Sequence, residues 1–121
     1  YDEKEREFAD APNGIVGLET ALGVLVTWLV DPGILTYAQL VDRMACAPAR
    51  IFNLPGGTLR SGAVGDVTVF DPTRAWTVDP ARFRSKGRNT PYAGRTLRGR
   101  ALVTVVGGRV VHRDAAPAGR A

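Results

Sequence analysis

The chain has 121 residues, of which 45% are hydrophobic and 23% charged, so its composition excludes a disordered protein and allows a folded core. Its formal net charge is +4, and its single cysteine, Cys46, excludes an internal disulfide and is typical of a reducing cytoplasm, where we expect the protein to act. The acidic first residues carry no secretory signal, and the longest apolar run, residues 21–30, falls short of the roughly twenty residues that cross a bilayer. We therefore expect neither secretion nor a membrane partner.

The beginning of the chain is predicted to be a loop that leads into a helix. Residues 1–17 contain a proline and two glycines and follow no helical or strand period, which indicates a loop. Residues 18–30 are predicted to be a helix, although their β-branched residues suit a buried strand equally well. Asp31-Pro32-Gly33 then predicts a turn that ends this element.

A second helical stretch has the clearest sequence signal for a helix start in the chain. Thr36 and Gln39 have the spacing of a capping box, and an apolar stripe at helical spacing follows them. Pro48 either ends this helix or opens the next turn. The Leu-Pro-Gly-Gly sequence at 54–57 stops the helical zone.

The remainder of the chain has the pattern of strands and turns. β-Branched and aromatic residues predict two strands, over 67–70 and 75–78, bounded by Asp, Gly and Pro. Residues 102–106 and 109–112 predict a hairpin, because the two glycines between them can take the positive φ of a tight turn. Residues 84–95 combine glycine, proline and charge, which predicts a long loop.

By itself, the chain contains no catalytic constellation. A hydrolytic zinc site needs about three converging ligands, whereas this sequence has one histidine, His112, and one cysteine, Cys46, neither at ligand spacing from a partner. Ser61 and Ser85 do not lie in the context of an activated nucleophile, and no phosphate-binding glycine motif is present.

Basic residues are concentrated near the end of the chain. Seven of its 16 lysines and arginines fall between Arg82 and Arg100. A nucleic-acid surface would need aromatic platforms on the same face, and only Phe83 and Tyr92 are nearby, without a recognised binding motif. We therefore predict a solvated or interface-facing loop and no nucleic-acid partner.

Five stretches resemble the bacterial dihydroorotases of the amidohydrolase superfamily. Two of these are similar to motifs that separate dihydroorotases from hydantoinases and allantoinases, namely Pro-Asn-Gly-Ile-Val-Gly-Leu-Glu-Thr-Ala within 11–22 and the Asn-Thr-Pro loop at 85–94. Three others are shared across the superfamily: the Ala-Pro-Ala-Arg-Ile helix at 47–52, the strand at 62–71, and the terminal hairpin at 106–111.

The resemblance implies an α/β fold built from parts of two domains. Residues 1–57 would form the end of a metal-dependent (β/α)₈ barrel, with an active-site loop and terminal helices, and residues 58–121 would belong to a small β-sandwich domain. Lys4 matches the end of the family motif Asp-x-Ala-Pro-His-x-x-x-x-Lys. A chain that opens at Tyr1 lacks the Asp and His of that motif, so we expect a C-terminal portion without the catalytic half.

For the intact protein, the resemblance implies zinc-dependent, reversible cyclisation of N-carbamoyl-L-aspartate to dihydroorotate in pyrimidine biosynthesis. The zinc ligands and the catalytic aspartate would lie upstream, so we expect no catalytic or metal residue here and no activity from the 121 residues alone. Asn13 and Gly14 match the positions that contact the substrate ring, where a glycine lets the main chain approach closely. Glu19 is expected to cap or pair near the helix start rather than act as a base.

Two alternatives remain at this point. The first is a cyclic amidohydrolase of the hydantoinase or allantoinase type, and the second is a non-catalytic dihydroorotase-like partner subunit. If the protein is an enzyme, we expect it to bind a small-molecule substrate and to associate with a second copy of itself. If it is a dihydroorotase, aspartate carbamoyltransferase is the alternative protein partner.

Overall fold

The computed structural model of the chain describes residues 7, 9–10 and 14–114, so that Lys4 and Asn13 lie outside the described part. There, short helices precede a three-stranded sheet, which is consistent with a fragment of the predicted α/β fold. None of the described residues up to 17 belongs to a helix or strand, as the predicted loop requires. No helix in these ranges is long and apolar enough to cross a membrane.

Two of the helices continue directly into a π-helical turn. Helix α1 spans Ala21–Leu25 and continues as a π-helical turn over Val26–Val30. Helix α2 spans Tyr37–Val41 and continues as a π-helical turn over Asp42–Cys46, which leads into helix α3, Ala47–Ile51. The helical prediction for the first stretch is confirmed from residue 21 onward, and the strand alternative is wrong.

The start of helix α2 is set by the predicted capping box. Thr36 Oγ1 accepts a hydrogen bond from the Gln39 amide at 3.2 Å, and Gln39 Oε1 accepts one from the Thr36 amide at 2.9 Å. Two amides at the helix start are thereby satisfied. Pro48 lies in the first turn of α3, where its missing N–H is tolerated, so it opens a helix rather than ending one.

The sheet is antiparallel, with strands in the order β1-β2-β3. Strand β1 spans Val67–Thr77, β2 spans Thr96–Val106 and β3 spans Arg109–Arg113. The hairpin predicted between β2 and β3 is confirmed, and its turn glycines have φ of 54° for Gly107 and 77° for Gly108. Between β1 and β2, a short 3₁₀ turn precedes the predicted loop.

The prediction of separate strands over 67–70 and 75–78 is wrong, because both belong to the single strand β1. Pairing with β2 continues on both sides of a bulge in which three residues of β1 lie opposite one residue of β2. The strand ends at Thr77, so Val78 lies just outside it.

The bulge explains why a proline does not break the strand. Asp71 Oδ1 accepts hydrogen bonds from the amide of Thr73 at 2.8 Å and from its hydroxyl at 2.7 Å, which forms a local turn. Pro72 lies inside this turn, where no ladder hydrogen bond is required of its nitrogen. The Asp-Pro pair is typical of a strand end, yet here it marks a bulge.

The core lies where helix α1 meets the sheet. Val78, Phe83 and Leu97 are buried, and Val24 of α1 and Trp76 of β1 pack against them. Helix α1 therefore lies directly on strand β2, and its N-terminal end is brought next to the loop that joins β1 to β2.

Candidate functional site

Gly14, one of the two predicted substrate contacts, lies in an exposed segment that a second loop holds in place. We call residues 14–19 the glycine segment and residues 84–94 the basic loop. Gly14 has φ of 57°, and its carbonyl oxygen accepts a hydrogen bond from Asn89 Nδ2 at 2.7 Å. The other predicted contact, Asn13, lies outside the described residues.

The glycine segment leads directly into helix α1. The amide of Val16 donates to the main-chain oxygen of Asn89 at 2.8 Å, so that one residue of the basic loop bonds to two residues of the segment. The carbonyl of Gly17 accepts from the amides of Thr20 and Ala21 at 3.1 and 2.8 Å, which starts the helical turn. The exposed end of the segment is thus continuous with helix α1.

Glu19 joins the other end of the glycine segment to the basic loop. Its carboxylate accepts hydrogen bonds from the Arg84 amide at 3.1 Å, the Ser85 amide at 2.9 Å and the Ser85 hydroxyl at 2.8 Å. Glu19 therefore pairs with the loop and does not cap α1, whose N-cap, Thr20, makes no side-chain cap bond.

The protonation of Glu19 follows from these contacts. Partial burial raises the pKa of its carboxyl, but hydrogen bonds from Ser85 and Arg84 and the positive charge of Arg88 outweigh that effect, so the pKa lies below its ordinary value. The side chain is consequently ionised at neutral pH, and the three hydrogen bonds that it accepts are charge-assisted.

A groove of about 540 Å³ opens beside Glu19, between helix α1 and the sheet. Its lining includes Leu22, Trp76, Arg100 and His112 but neither Gly14 nor Asn89. The groove is therefore distinct from the exposed face at which Gly14 lies.

The residues weighed for unaided chemistry form no metal site in the described part of the chain, although Ser85 and His112 both line the groove. Among residues 7, 9–10 and 14–114, no group of three His, Cys, Asp or Glu side chains is placed to hold a metal ion. His112 lies in β3 and Cys46 at the end of a π-helical turn. The hydroxyl of Ser85 donates to Glu19, so it serves the contact between the two loops.

Several arginines of the basic stretch are engaged within the molecule. Arg98 forms a salt bridge with Asp31 at 3.0 Å. Arg100 pairs with Asp114 at 3.4 Å and stacks over the ring of Trp76, 4.6 Å from its centroid. These contacts neutralise part of the positive charge that lies between residues 82 and 100.

Comparison with proteins of known sequence identifies close relatives over most of the chain. No protein-family model matches the chain. The dihydroorotase of Anaeromyxobacter dehalogenans is 56% identical over 112 residues, which is 93% of this chain and 26% of that protein. The dihydroorotases of Syntrophus aciditrophicus and Pelotomaculum thermopropionicum are 52% and 53% identical over the same shares. The chain is homologous to a segment of the dihydroorotases. It spans about a quarter of the length of these relatives.

Solved structures of hydantoinases resemble this dihydroorotase homologue in fold. The L-hydantoinase (dihydropyrimidinase) of Arthrobacter aurescens matches with a TM-score of 0.80 and 34% identity, over 87% of this chain and 24% of the hydantoinase. The D-hydantoinase of a Thermus species matches with a TM-score of 0.80 and 30% identity, over 88% and 24%. Identity to the dihydroorotases is higher, so the hydantoinase alternative fits as a related family.

Proposed function

We propose that this dihydroorotase homologue is part of an enzyme that reversibly cyclises N-carbamoyl-L-aspartate to dihydroorotate. The observation that carries the proposal is an identity of up to 56% to curated dihydroorotases over 93% of the chain. Geometry adds support, because the two motifs that resemble dihydroorotases most specifically contact each other through Asn89 and Gly14.

In this proposal the chain contributes substrate binding rather than bond cleavage. A dihydropyrimidine edge offers neighbouring C=O and N–H groups, which complement the N–H and C=O of a peptide. Gly14 is exposed, and a Cβ built on it would have no heavy atom within 4 Å, so space for a planar ligand exists on the side from which a side chain would project. Asn13 belongs to the same proposed contact.

The proposal extends to the architecture of the complete protein. Residues 1–57 would be the end of a (β/α)₈ barrel, and residues 58–121 part of a small β-domain. Active sites of such barrels lie at the C-terminal face, which is built by loops. The exposed glycine segment, which precedes α1, is suited to that position.

The related amidohydrolases are generally metal-dependent, but the described residues of this chain do not fit a zinc site, since they include no group of three potential ligands. In the proposal, zinc is therefore held by other residues of the complete protein. A cytoplasmic location and association with a second copy, or with aspartate carbamoyltransferase, are further parts of the proposal.

Enzyme assays on the complete gene product, purified with its metal, test this proposal. We expect interconversion of dihydroorotate and N-carbamoyl-L-aspartate, with much slower turnover of hydantoin and allantoin. A preference for hydantoin would favour the hydantoinase alternative, which rests on the 34% identity to L-hydantoinase. Absence of turnover with any of these substrates would favour the non-catalytic partner subunit.

A further inference from the structure

We infer that the basic loop is a positioning element for substrate binding, in which Asn89 orients the peptide of Gly14 and Ser85 anchors the loop to Glu19. The inference rests on the proposed function, because it assigns the residues that hold the substrate-contacting segment in its binding geometry. Neither Asn89 nor Ser85 is proposed to touch the substrate.

The contact at Asn89 involves both its side chain and its main chain. The side-chain amide donates to the Gly14 carbonyl at 2.7 Å, and the main-chain oxygen accepts from the Val16 amide at 2.8 Å. Two bonds of opposite direction, two residues apart on the segment, set both its distance from the loop and the direction of the Gly14 carbonyl.

The contact at Glu19 anchors the other end. Three hydrogen bonds join its carboxylate to Arg84 and Ser85. Gly14 thus lies next to Asn89 and Glu19 next to Ser85, so the two stretches run antiparallel and are tied at both ends. A segment tied only at one end would retain rotational freedom at Gly14, and ordering it on binding would cost affinity.

Between these two ends the stretches approach closely. A Cβ built on Gly87 would lie 2.6 Å from Val16 Cγ2, so no larger residue fits there without a shift. At the far end of the basic loop, the ring of Tyr92 packs against Trp28 with centroids 5.4 Å apart. The loop is therefore itself supported on the helical half of the molecule.

The experiment compares Asn89→Asp with the wild type in the complete, metal-loaded gene product. Aspartate has nearly the same shape but lacks the Nδ2 donor, and it places a carboxylate against the Gly14 carbonyl. We expect KM for dihydroorotate to rise about tenfold, the order of one lost hydrogen bond, with kcat and metal content little changed. Amide hydrogen exchange in the peptide that covers 14–19 should become faster.

Asn53→Asp is the matched control, because it makes the same chemical change at an exposed residue with φ of 52° that lies just after α3, outside the glycine segment and the basic loop. We expect wild-type KM and wild-type exchange at 14–19 from it. Ser85→Ala is the second variant. It removes one of the three bonds to Glu19 and should raise KM by a smaller factor while the protein stays folded.

The outcomes separate this inference from the proposed function. If the wild type does not turn over dihydroorotate, the proposed function fails, and the exchange rates still report whether Asn89 holds the segment. If the wild type is active but KM is unchanged in Asn89→Asp, the positioning role is wrong. Should Asn89→Asp fail to fold, the KM of Ser85→Ala is the test. A raised KM in that variant supports the positioning role, and an unchanged KM overturns the inference.

Discussion

Gly14 combines a positive φ of 57° with open space on the side where a Cβ would project. We predict that Gly14→Val in the complete gene product raises KM for dihydroorotate or abolishes turnover, because a branched side chain would occupy the space of the substrate ring. Metal content should remain that of the wild type, which a metal analysis checks.

Gly62→Val is the control for backbone strain. Gly62 also has a positive φ, 83°, and also has open space around its Cβ position, but it lies in a turn before β1. We expect similar strain from both substitutions and a change in KM from Gly14→Val alone. Wild-type kinetics in Gly14→Val would show that Gly14 does not contact the substrate.

The ionisation of Glu19 makes a pH-dependent contribution to stability. Its folded-state pKa lies below the ordinary value of 4.5, so the contribution is fully present above about pH 4.5 and is lost as the pH falls through the folded pKa. We predict that Glu19→Gln lowers the free energy of unfolding at pH 7 and that the difference from the wild type shrinks as the pH falls below 4.5.

Urea unfolding of the complete gene product at pH 7 and at pH 4 measures this difference. Glu7→Gln, at an exposed position, is the control and should show a small difference at both values. A Glu19→Gln difference that stays constant from pH 7 to pH 4 would contradict the role assigned to the charge.

At the scale of elements, the contact between strand β2 and the π-helical turn that follows α1 depends on a glycine in the strand. Gly99 has φ of 91°, and a Cβ on it would lie 2.9 Å from Val26 Cγ2. We predict that Gly99→Ala destabilises the protein through the positive φ and, in addition, by about 1–3 kcal/mol through overpacking.

Gly94→Ala isolates the overpacking, because Gly94 has φ of 73° but open space around its Cβ position. This substitution should lower the free energy of unfolding by only about 1–2 kcal/mol, through backbone strain. Urea unfolding of the two variants and the wild type gives both values. Equal destabilisation by the two substitutions would contradict the prediction, because it would show that Val26 moves aside at no cost in free energy.

At the scale of the whole molecule, the ligand inventory sets a further prediction. The 121 residues alone should neither bind zinc stoichiometrically nor hydrolyse dihydroorotate, because the sequence has one His and one Cys and the described part has no group of three potential ligands. Metal analysis and an assay of the purified chain check this. One tightly held zinc per chain, or turnover without a partner, would contradict it.

Exposed apolar side chains lead to an expectation for the same sample. Leu18, Leu59 and Phe52 are 91%, 82% and 72% exposed and present apolar surface to the solvent. We expect the isolated chain to self-associate, or to bind a polypeptide that supplies the other three quarters of its relatives' length.

The basic stretch allows one more prediction at this scale. Arg98 and Arg100 already pair with Asp31 and Asp114, which reduces the free positive charge on the surface. We predict no micromolar binding of duplex or single-stranded nucleic acid at physiological salt. Binding that is lost on neutralising Arg84, Arg88 and Arg95, with a steep salt dependence, would overturn this.

The sequence was sufficient to predict those elements that are determined by residues only a few positions apart. The capping box at Thr36 and Gln39 and the hairpin at Gly107-Gly108 form as predicted, because each depends on hydrogen bonds or φ values of near neighbours. The resemblance to dihydroorotases, carried by short motifs, is likewise confirmed by identities of 50–56%.

Tertiary structure decided what depends on distant partners. The Asp-Pro pair at 71–72 indicates a strand end locally, yet β2 pairs on both sides of it and one bulged strand results. The bond between Asn89 and Gly14 joins residues 75 positions apart, and no spacing within either motif predicts it. A side chain's own sequence context determines its local conformation, whereas its partner across the fold is determined only when the chain packs, because packing alone brings the basic loop onto the glycine segment.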